Sequence, residues 1–377
     1  MRTNVRSTLR FRLFGLTASA GFLYAGLISA QDAPHYHLTR LEIPDMQGIY
    51  VRDINDAGDM VGYYLDANSV TRAFLWDASG PHDLAVPVSA GGEDVFSAAT
   101  AINNEGQIVG YAQIIGDVTP GLLWNSADPT QYTLLDDDPD IFLNPLGISD
   151  NGTVVGIKGN LVTGEAFHAF VWTAQTGMVD YGTTDPSNPN INASWTGVND
   201  AGQLIGEWNY IFSATHASVG TVGTPAVLPM SAASDAVESS ANAINAEGDR
   251  VGHMNLGSGD VVPVTFAADG SATLIPGATL GLAAGQALGL NDAGTIVGRA
   301  SDFSTLEFKA FVAIDGTSYD LFQQVDDTGG FDYFLTAQAV NASGAIVGLA
   351  RYGDLQVGSY ILTPLGDDHI FSDGFDL

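Results

Sequence analysis

The sequence predicts an all-β fold, a seven-bladed β-propeller of four-stranded blades whose last blade is closed by the N-terminal strand. Three observations lead there. One nine-residue phrase recurs seven times, each copy is followed by further strand signals, and the strand missing from the last copy stands at the front of the chain.

The phrase is an aliphatic residue, Asn, two small or acidic residues, Gly, a spacer, two aliphatics and Gly, first seen as Ile54-Asn55-Asp56-Ala57-Gly58-Asp59-Met60-Val61-Gly62. Later copies carry Asn103, Asn199, Asn245, Asn291 and Asn341, and the third has Ser149 in the Asn slot. Their first glycines, Gly58, Gly106, Gly152, Gly202, Gly248, Gly294 and Gly344, are 46 to 50 residues apart. A tight hairpin explains the pattern, because a type I turn followed by a residue of positive φ is a favoured connection and glycine adopts that φ without strain. The Asn side chain can fold back onto backbone amides ahead of it, a structural role set here above metal ligation.

Two more strand signals follow each turn. One reads Ala73-Phe74-Leu75-Trp76, Leu122-Leu123-Trp124, His168-Ala169-Phe170-Val171-Trp172 and Ala310-Phe311-Val312, and the outer one reads His82-Asp83-Leu84 or Tyr132-Thr133-Leu134-Leu135. With the strand leading into the Asn, each period holds four strands, which is one propeller blade. Trp76, Trp124 and Trp172 share a slot and read as packing between blades. The seventh copy ends after Ser359–Leu362 without a fourth strand, whereas Tyr36–Leu41 has the outer-strand pattern before the first copy. Pairing the two ends removes an open sheet edge. An open β-solenoid is the alternative, and it leaves this circular offset unexplained.

Asn-x-x-Gly-x-(Ile/Val)-Val-Gly followed by His-Ala-Phe-(Leu/Val)-Trp, intact at 168–172, resembles the HAF-type extracellular repeat family of bacteria. That resemblance covers nearly the whole chain after the leader. It implies a secreted bacterial protein and carries no established reaction. The fourth copy departs most, since Gly206 leads into Glu207-Trp208-Asn209-Tyr210 and the third strand is reduced to His216-Ala217-Ser218-Val219, so an irregular blade is expected there.

Residues 1–30 read as a signal peptide: Arg2, Arg6, Arg10 and Arg12 precede an uncharged run from Leu13 to Leu27, and Ser29-Ala30 marks cleavage before Gln31. An uncleaved anchor is the alternative. The expected location is therefore extracellular, at the cell surface or in the periplasm of a Gram-negative bacterium. Cleavage removes four of the twelve basic residues and none of the 43 acids, leaving a net charge of −35. Nucleic acid is an unfavourable partner for such a surface, and a cation or basic surface a favourable one. The absence of cysteine excludes disulfides and thiolate metal sites. The propeller is expected to span 31–366 as a monomer. Residues 367–377 form an acidic tail resembling the Ile-Phe-x-Asp-Gly-Phe-acid ending of some exported gammaproteobacterial proteins, either a sorting signal or a frayed terminus.

None of the seven histidines sits in a HExxH pair or beside a Gly-x-Ser-x-Gly elbow. Function in such a fold is sought where repeats differ, on the loops. With the Asn turns on one face, the other face collects the acids Asp136, Asp138, Asp140, Asp326 and Asp332 and the aromatics Trp195, Trp208, Tyr210 and Tyr333, which are the ligand-binding candidates. Acids with aromatics suit a cation, a glycan or a basic protein partner. Calcium at Asp136–Asp140 is one expectation and a solvated acidic loop the other. No other cofactor is expected. A binding or scaffold module is the preferred function, and the alternative is a glycan-processing enzyme with Asp138 and Asp332 as paired carboxylates in a central depression.

Overall fold

The computed structural model describes residues 33–88, 94–114, 119–160, 166–183, 191–210, 214–229, 236–353 and 356–366. The expected signal peptide at 1–30 and the expected acidic tail at 367–377 lie outside the described residues, as do the loop acids Glu93, Asp185 and Asp235. Strand β1 (Tyr36–Leu41) precedes the first repeat, which supplies β2 (Gln47–Ile54), β3 (Met60–Leu65), β4 (Thr71–Asp77) and β5 (Gly80–Asp83). The second supplies β6 (Val95–Ile102), β7 (Gln107–Ile114), β8 (Gly121–Asn125) and β9 (Asp128–Leu134). The third holds β10 (Ile141–Ile148), β11 (Val154–Asn160), β12 (His168–Thr173) and β13 (Gly177–Gly182). In the fourth are β14 (Ile191–Val198), β15 (Gln203–Tyr210), β16 (Thr215–Thr221) and β17 (Thr224–Pro229). The fifth has β18 (Ala236–Ile244), β19 (Arg250–Leu256), β20 (Val261–Phe266) and β21 (Ala272–Leu274), and the sixth β22 (Ala284–Leu290), β23 (Ile296–Asp302), β24 (Glu307–Ile314) and β25 (Thr317–Asp320). A 3-10 turn, Leu321–Gln323, leads to β26 (Tyr333–Val340), β27 (Ile346–Tyr352) and β28 (Gln356–Pro364).

The chain is all-β, built of antiparallel four-stranded sheets of the propeller type. Five sheets have four strands, and one has eight because a single parallel pair, Val261 with Ala284, joins the fifth and sixth repeats. β1 lies antiparallel beside β28, with Tyr36 opposite Pro364 and Leu41 opposite Ser359. The fourth repeat, expected to be irregular, forms a four-stranded sheet in which β16 pairs with β15 over seven residues without a shift, whereas the outer pair of β16 and β17 shifts register between Val219 and Thr221.

Each Asn turn is built as its composition requires. The first glycines have φ between 73° and 88°, where a Cβ would be strained. Asn55 Oδ1 accepts the Asp59 N–H at 2.9 Å, and Asn103 does the same for Gln107 at 2.7 Å. The second glycine has a different cause. The first strand of every repeat carries a register shift, such as Val51/Asp53 or Ala241/Ala243, that inserts one extra residue. Opposite that shift, a Cβ on Gly62 would collide with the Tyr50 carbonyl and one on Gly252 with the Ser240 carbonyl.

Apolar side chains fill the spaces between successive sheets. Val61, Leu75, Val95 and Trp124 join the first and second repeats, and Phe170, Leu143 and Val109 the second and third. Leu41, Val51, Met60 and Val347 join the last sheet to the first. Each such side chain contributes roughly 1.5–3 kcal/mol by leaving water, so the sheets hold one another through their faces.

Candidate functional site

A depression of about 240 Å³ opens among the Asn turns and is lined by residues from all seven copies of the phrase. Its wall is a run of amide-to-carbonyl bonds between neighbouring repeats. Asn55 Nδ2 donates to the Asn103 carbonyl at 3.2 Å, Asn103 to that of Ser149 at 2.8 Å, and Asn199 to that of Asn245 at 3.0 Å. Asn245 donates to Asn291, Asn291 to Asn341 and Asn341 to Asn55. Where Ser149 replaces Asn, Asn151 takes over and donates to the Asp200 carbonyl at 3.2 Å.

The slot after the Asn adds a second set of contacts that sequence reasoning missed. Asp150 accepts the Asn104 N–H at 2.8 Å, Asp200 that of Asn151 at 2.9 Å, Asp292 that of Ala246 at 2.8 Å and Asp56 that of Ala342 at 2.8 Å. The signal was present, since four of the seven copies have Asp there. These acids join repeats. The Asn residues singled out in the sequence thus line this depression in structural roles, and the first glycines sit in the turns behind them.

The other candidates, Trp195 excepted, lie toward the opposite ends of the strands. Asp136 accepts the Asp138 N–H at 2.8 Å and Asp138 that of Asp140 at 2.9 Å, as in a solvated loop that caps its own backbone. Among the described residues, no group of three acidic or histidine side chains is placed to hold a metal ion. Asp326 and Asp332 are exposed on the connection before β26. Asp138 and Asp332 sit on connections between repeats and do not line the axial depression, so the pairing expected of them there is not found. Trp195 is a correction: it is fully buried, packed edge-on against Tyr181, because its strand position faces the neighbouring sheet.

Tyr333 lines a groove of about 400 Å³ with Phe308, Phe322, Leu306, Glu307, Lys309, Asp320 and Gln323. The Phe308 and Tyr333 rings are parallel, their centres 6.5 Å apart, and Phe303 packs edge-on against Phe308. Phe303 and Leu306, on the β23–β24 hairpin above the groove, are each 70% exposed. Burial raises the Asp320 carboxyl, while its bond from the Phe322 N–H opposes the shift. Of these, Tyr333 alone was a binding candidate from sequence, since a hairpin tip has no periodicity to read.

Trp208 lies beside a smaller cavity of about 200 Å³ formed with Ile157, Phe167, Asn192, Ala193, Ser194, Glu207 and Asn209, and the exposed Tyr210 packs edge-on to its ring. Glu207 accepts a bond from the Ser240 hydroxyl, and burial raises its carboxyl above the usual range. Farther along, Gln286 bridges His253 at 3.3 Å and Arg299 at 2.6 Å. Burial first, then the Arg299 charge, pushes His253 down to about 4.

No known family model matches the chain, and no curated protein matches it in sequence. Among solved structures it is similar to a puromycin-hydrolyzing peptidase of Mycobacterium tuberculosis, with 12% identity, 88% of this chain and 56% of that one covered, and a TM-score of 0.53. It is also similar to a prolyl endopeptidase, with 8% identity, 88% and 51% covered, and a TM-score of 0.51. TolB from Acinetobacter baumannii aligns at 13% identity over 88% of this chain and 80% of that one, with a TM-score of 0.45. The chain spans about half the length of the two peptidases. At these identities the likeness concerns the fold.

Proposed function

We propose that the protein is a closed seven-bladed propeller, exported from a bacterial cell, that acts there as a binding or scaffold module without catalysis. Closure is supported by β1 beside β28 and by the Asn341 to Asn55 bond, and the count of seven follows if the eight-stranded sheet is two blades. The HAF-type resemblance and the leader support export.

One observation carries the functional part: the groups that repeat are occupied in joining blades, whereas exposed Phe303 and Leu306 stand over a groove lined by the aromatic rings of Phe308, Phe322 and Tyr333. Contiguous exposed apolar surface marks an interaction site, and Phe303, Phe308 and Tyr333 stack next to one another here beside Leu306. The strongly acidic surface around them favours a partner protein that offers an apolar anchor within a basic surround. Cross-linking in intact cells, comparing the natural protein with Phe303→Ala/Leu306→Ala, tests this. A defined cross-linked species that disappears in the variant supports the reading, and an unchanged pattern removes the groove from it.

A further inference from the structure

The bulge in the first strand adds one residue to each repeat, and in three repeats the side chain of that residue is engaged by the next one. Thr100 donates to the Pro145 carbonyl at 2.8 Å, and Thr196 and Asn242 donate to those of Ala241 and Ala287, each at 2.7 Å. The first repeat has Arg52 in this slot, between Val51 and Asp53. Arg52 is exposed and, among the described residues, has no hydrogen bond and no carboxylate partner. Asp53 beside it does not serve, because its two oxygens accept the Ile54 N–H at 2.9 Å and the Ile102 N–H at 3.0 Å. In a chain with 43 acids an unmatched arginine stands out. Arg40, Arg72, Lys158 and Lys309 each lie within 3.2 Å of a carboxylate.

What Arg52 does meet is aromatic. Its guanidinium lies over the Tyr63 ring, 5.5 Å from the centre, and Tyr63 stacks on Tyr50 with ring centres 4.9 Å apart and planes 17° from parallel. Tyr111 fills in the second repeat the slot that Tyr63 fills in the first, where the other copies have Ile157, Glu207, His253, Arg299 and Leu349. Burial raises the Tyr111 hydroxyl, Tyr63 adds to the shift and the Arg52 charge opposes it, as for groups that share one patch. The three tyrosines are half-buried, and their hydroxyls have no partner among the described residues. A guanidinium over a ring face keeps the N–H groups in its own plane free for a second partner.

The free groups of this patch are therefore charged N–H donors and phenol hydroxyls, with no free carboxylate among them. A cation would be repelled. A neutral polyol would leave the arginine charge unmatched, whereas an anion meets both the charge and the donors. The acidic chain around the patch penalises every further negative charge on that anion, which favours one carboxylate over a phosphate dianion or a sulfated polymer. A carboxylate is also planar, and its two oxygens match the guanidinium fork. We propose that Arg52, Tyr63 and Tyr111 form a site for an organic monocarboxylate, with Arg52 donating to both carboxylate oxygens and the tyrosine hydroxyls beside them. The site shares no residue with the Phe303 groove, so either reading can fail alone.

Saturation-transfer NMR and titration calorimetry on the whole mature protein test it, with galacturonate, glucuronate and benzoate as ligands and the methyl ester of galacturonate and inorganic sulfate as controls. At least one carboxylate is expected to bind, and neither control. Arg52→Gln should weaken binding by about tenfold or more. Tyr63→Phe, which keeps the stacked ring and removes the hydroxyl, should weaken it severalfold, and it serves as the test should Arg52→Gln misfold. Phe303→Ala/Leu306→Ala should bind the carboxylate unchanged. The proposal is overturned if none of the carboxylates binds the folded protein, if binding survives both variants of the patch, or if the ester or sulfate binds as well as the acid.

Discussion

The Asn341 side-chain amide donates to the Asn55 backbone carbonyl at 3.0 Å across 286 residues of chain. It is the same bond that Asn291 makes to Asn341, at 2.9 Å, between repeats adjacent in sequence. Next to it, the Ala342 N–H meets the Asp56 carboxylate at 2.8 Å, and Ser359 of β28 accepts from Val51 N–H and donates to the Ile49 carbonyl. The contacts between the last repeat and the first are thus of the same kinds as those between repeats adjacent in sequence.

Asn341→Ala removes that bond and leaves a buried carbonyl without its donor. A loss of about 1–3 kcal/mol is expected, similar to that of Asn199→Ala at an ordinary junction. Urea unfolding of both variants measures it. A negligible loss at Asn341 alone would mean that the terminal junction carries no load.

The two glycines of the phrase should differ in cost. Gly58→Ala forces a side chain into positive φ with open space around it, for about 1 kcal/mol. Gly252→Ala drives a Cβ into the Ser240 carbonyl and must shift two strands, which should cost on the order of 3 kcal/mol or abolish folding. Thermal unfolding compares them, and equal losses would contradict the bulge as the reason for the second glycine.

The sequence made the turn glycine legible because positive φ has a compositional signature. The second glycine recurred as plainly, yet its reason depends on a register shift in the opposing strand, which leaves no mark of its own. Terminal pairing was legible too, since Tyr36–Leu41 carried an outer-strand pattern with no repeat to belong to. Sites were less so: Asp136 and Asp138 looked like ligands and cap their own backbone, whereas Phe308, Phe322 and Glu207 gain meaning only from neighbours distant in sequence.

Two buried groups should give opposite pH dependences. Burial pushes Asp53 up to about 6, against the opposing bonds from the Ile102 and Ile54 N–H groups. Between about pH 4 and 6 the native state therefore holds the extra proton, and stability falls as pH rises. His253, pushed down to about 4, is protonated only in the unfolded chain between about 4 and 6.5, so its contribution falls as pH drops. Asp53→Asn should make the urea midpoint rise more steeply with pH in this window, and His253→Gln should make it rise less or fall. Identical profiles for the two variants would contradict both assignments.

Phe303→Ala/Leu306→Ala should leave stability within about 0.5 kcal/mol, because both side chains are exposed. Thermal unfolding checks this, and a large loss would mean that the hairpin serves the fold instead of a partner.

A disulfide between the chain ends tests closure most directly, because the natural sequence has no cysteine to interfere. Thr39 of β1 stands opposite Ile361 of β28, so Thr39→Cys/Ile361→Cys should oxidise within one molecule in high yield and raise the unfolding temperature. Free thiols, or disulfide-linked dimers in place of the internal bridge, would show that the ring is open.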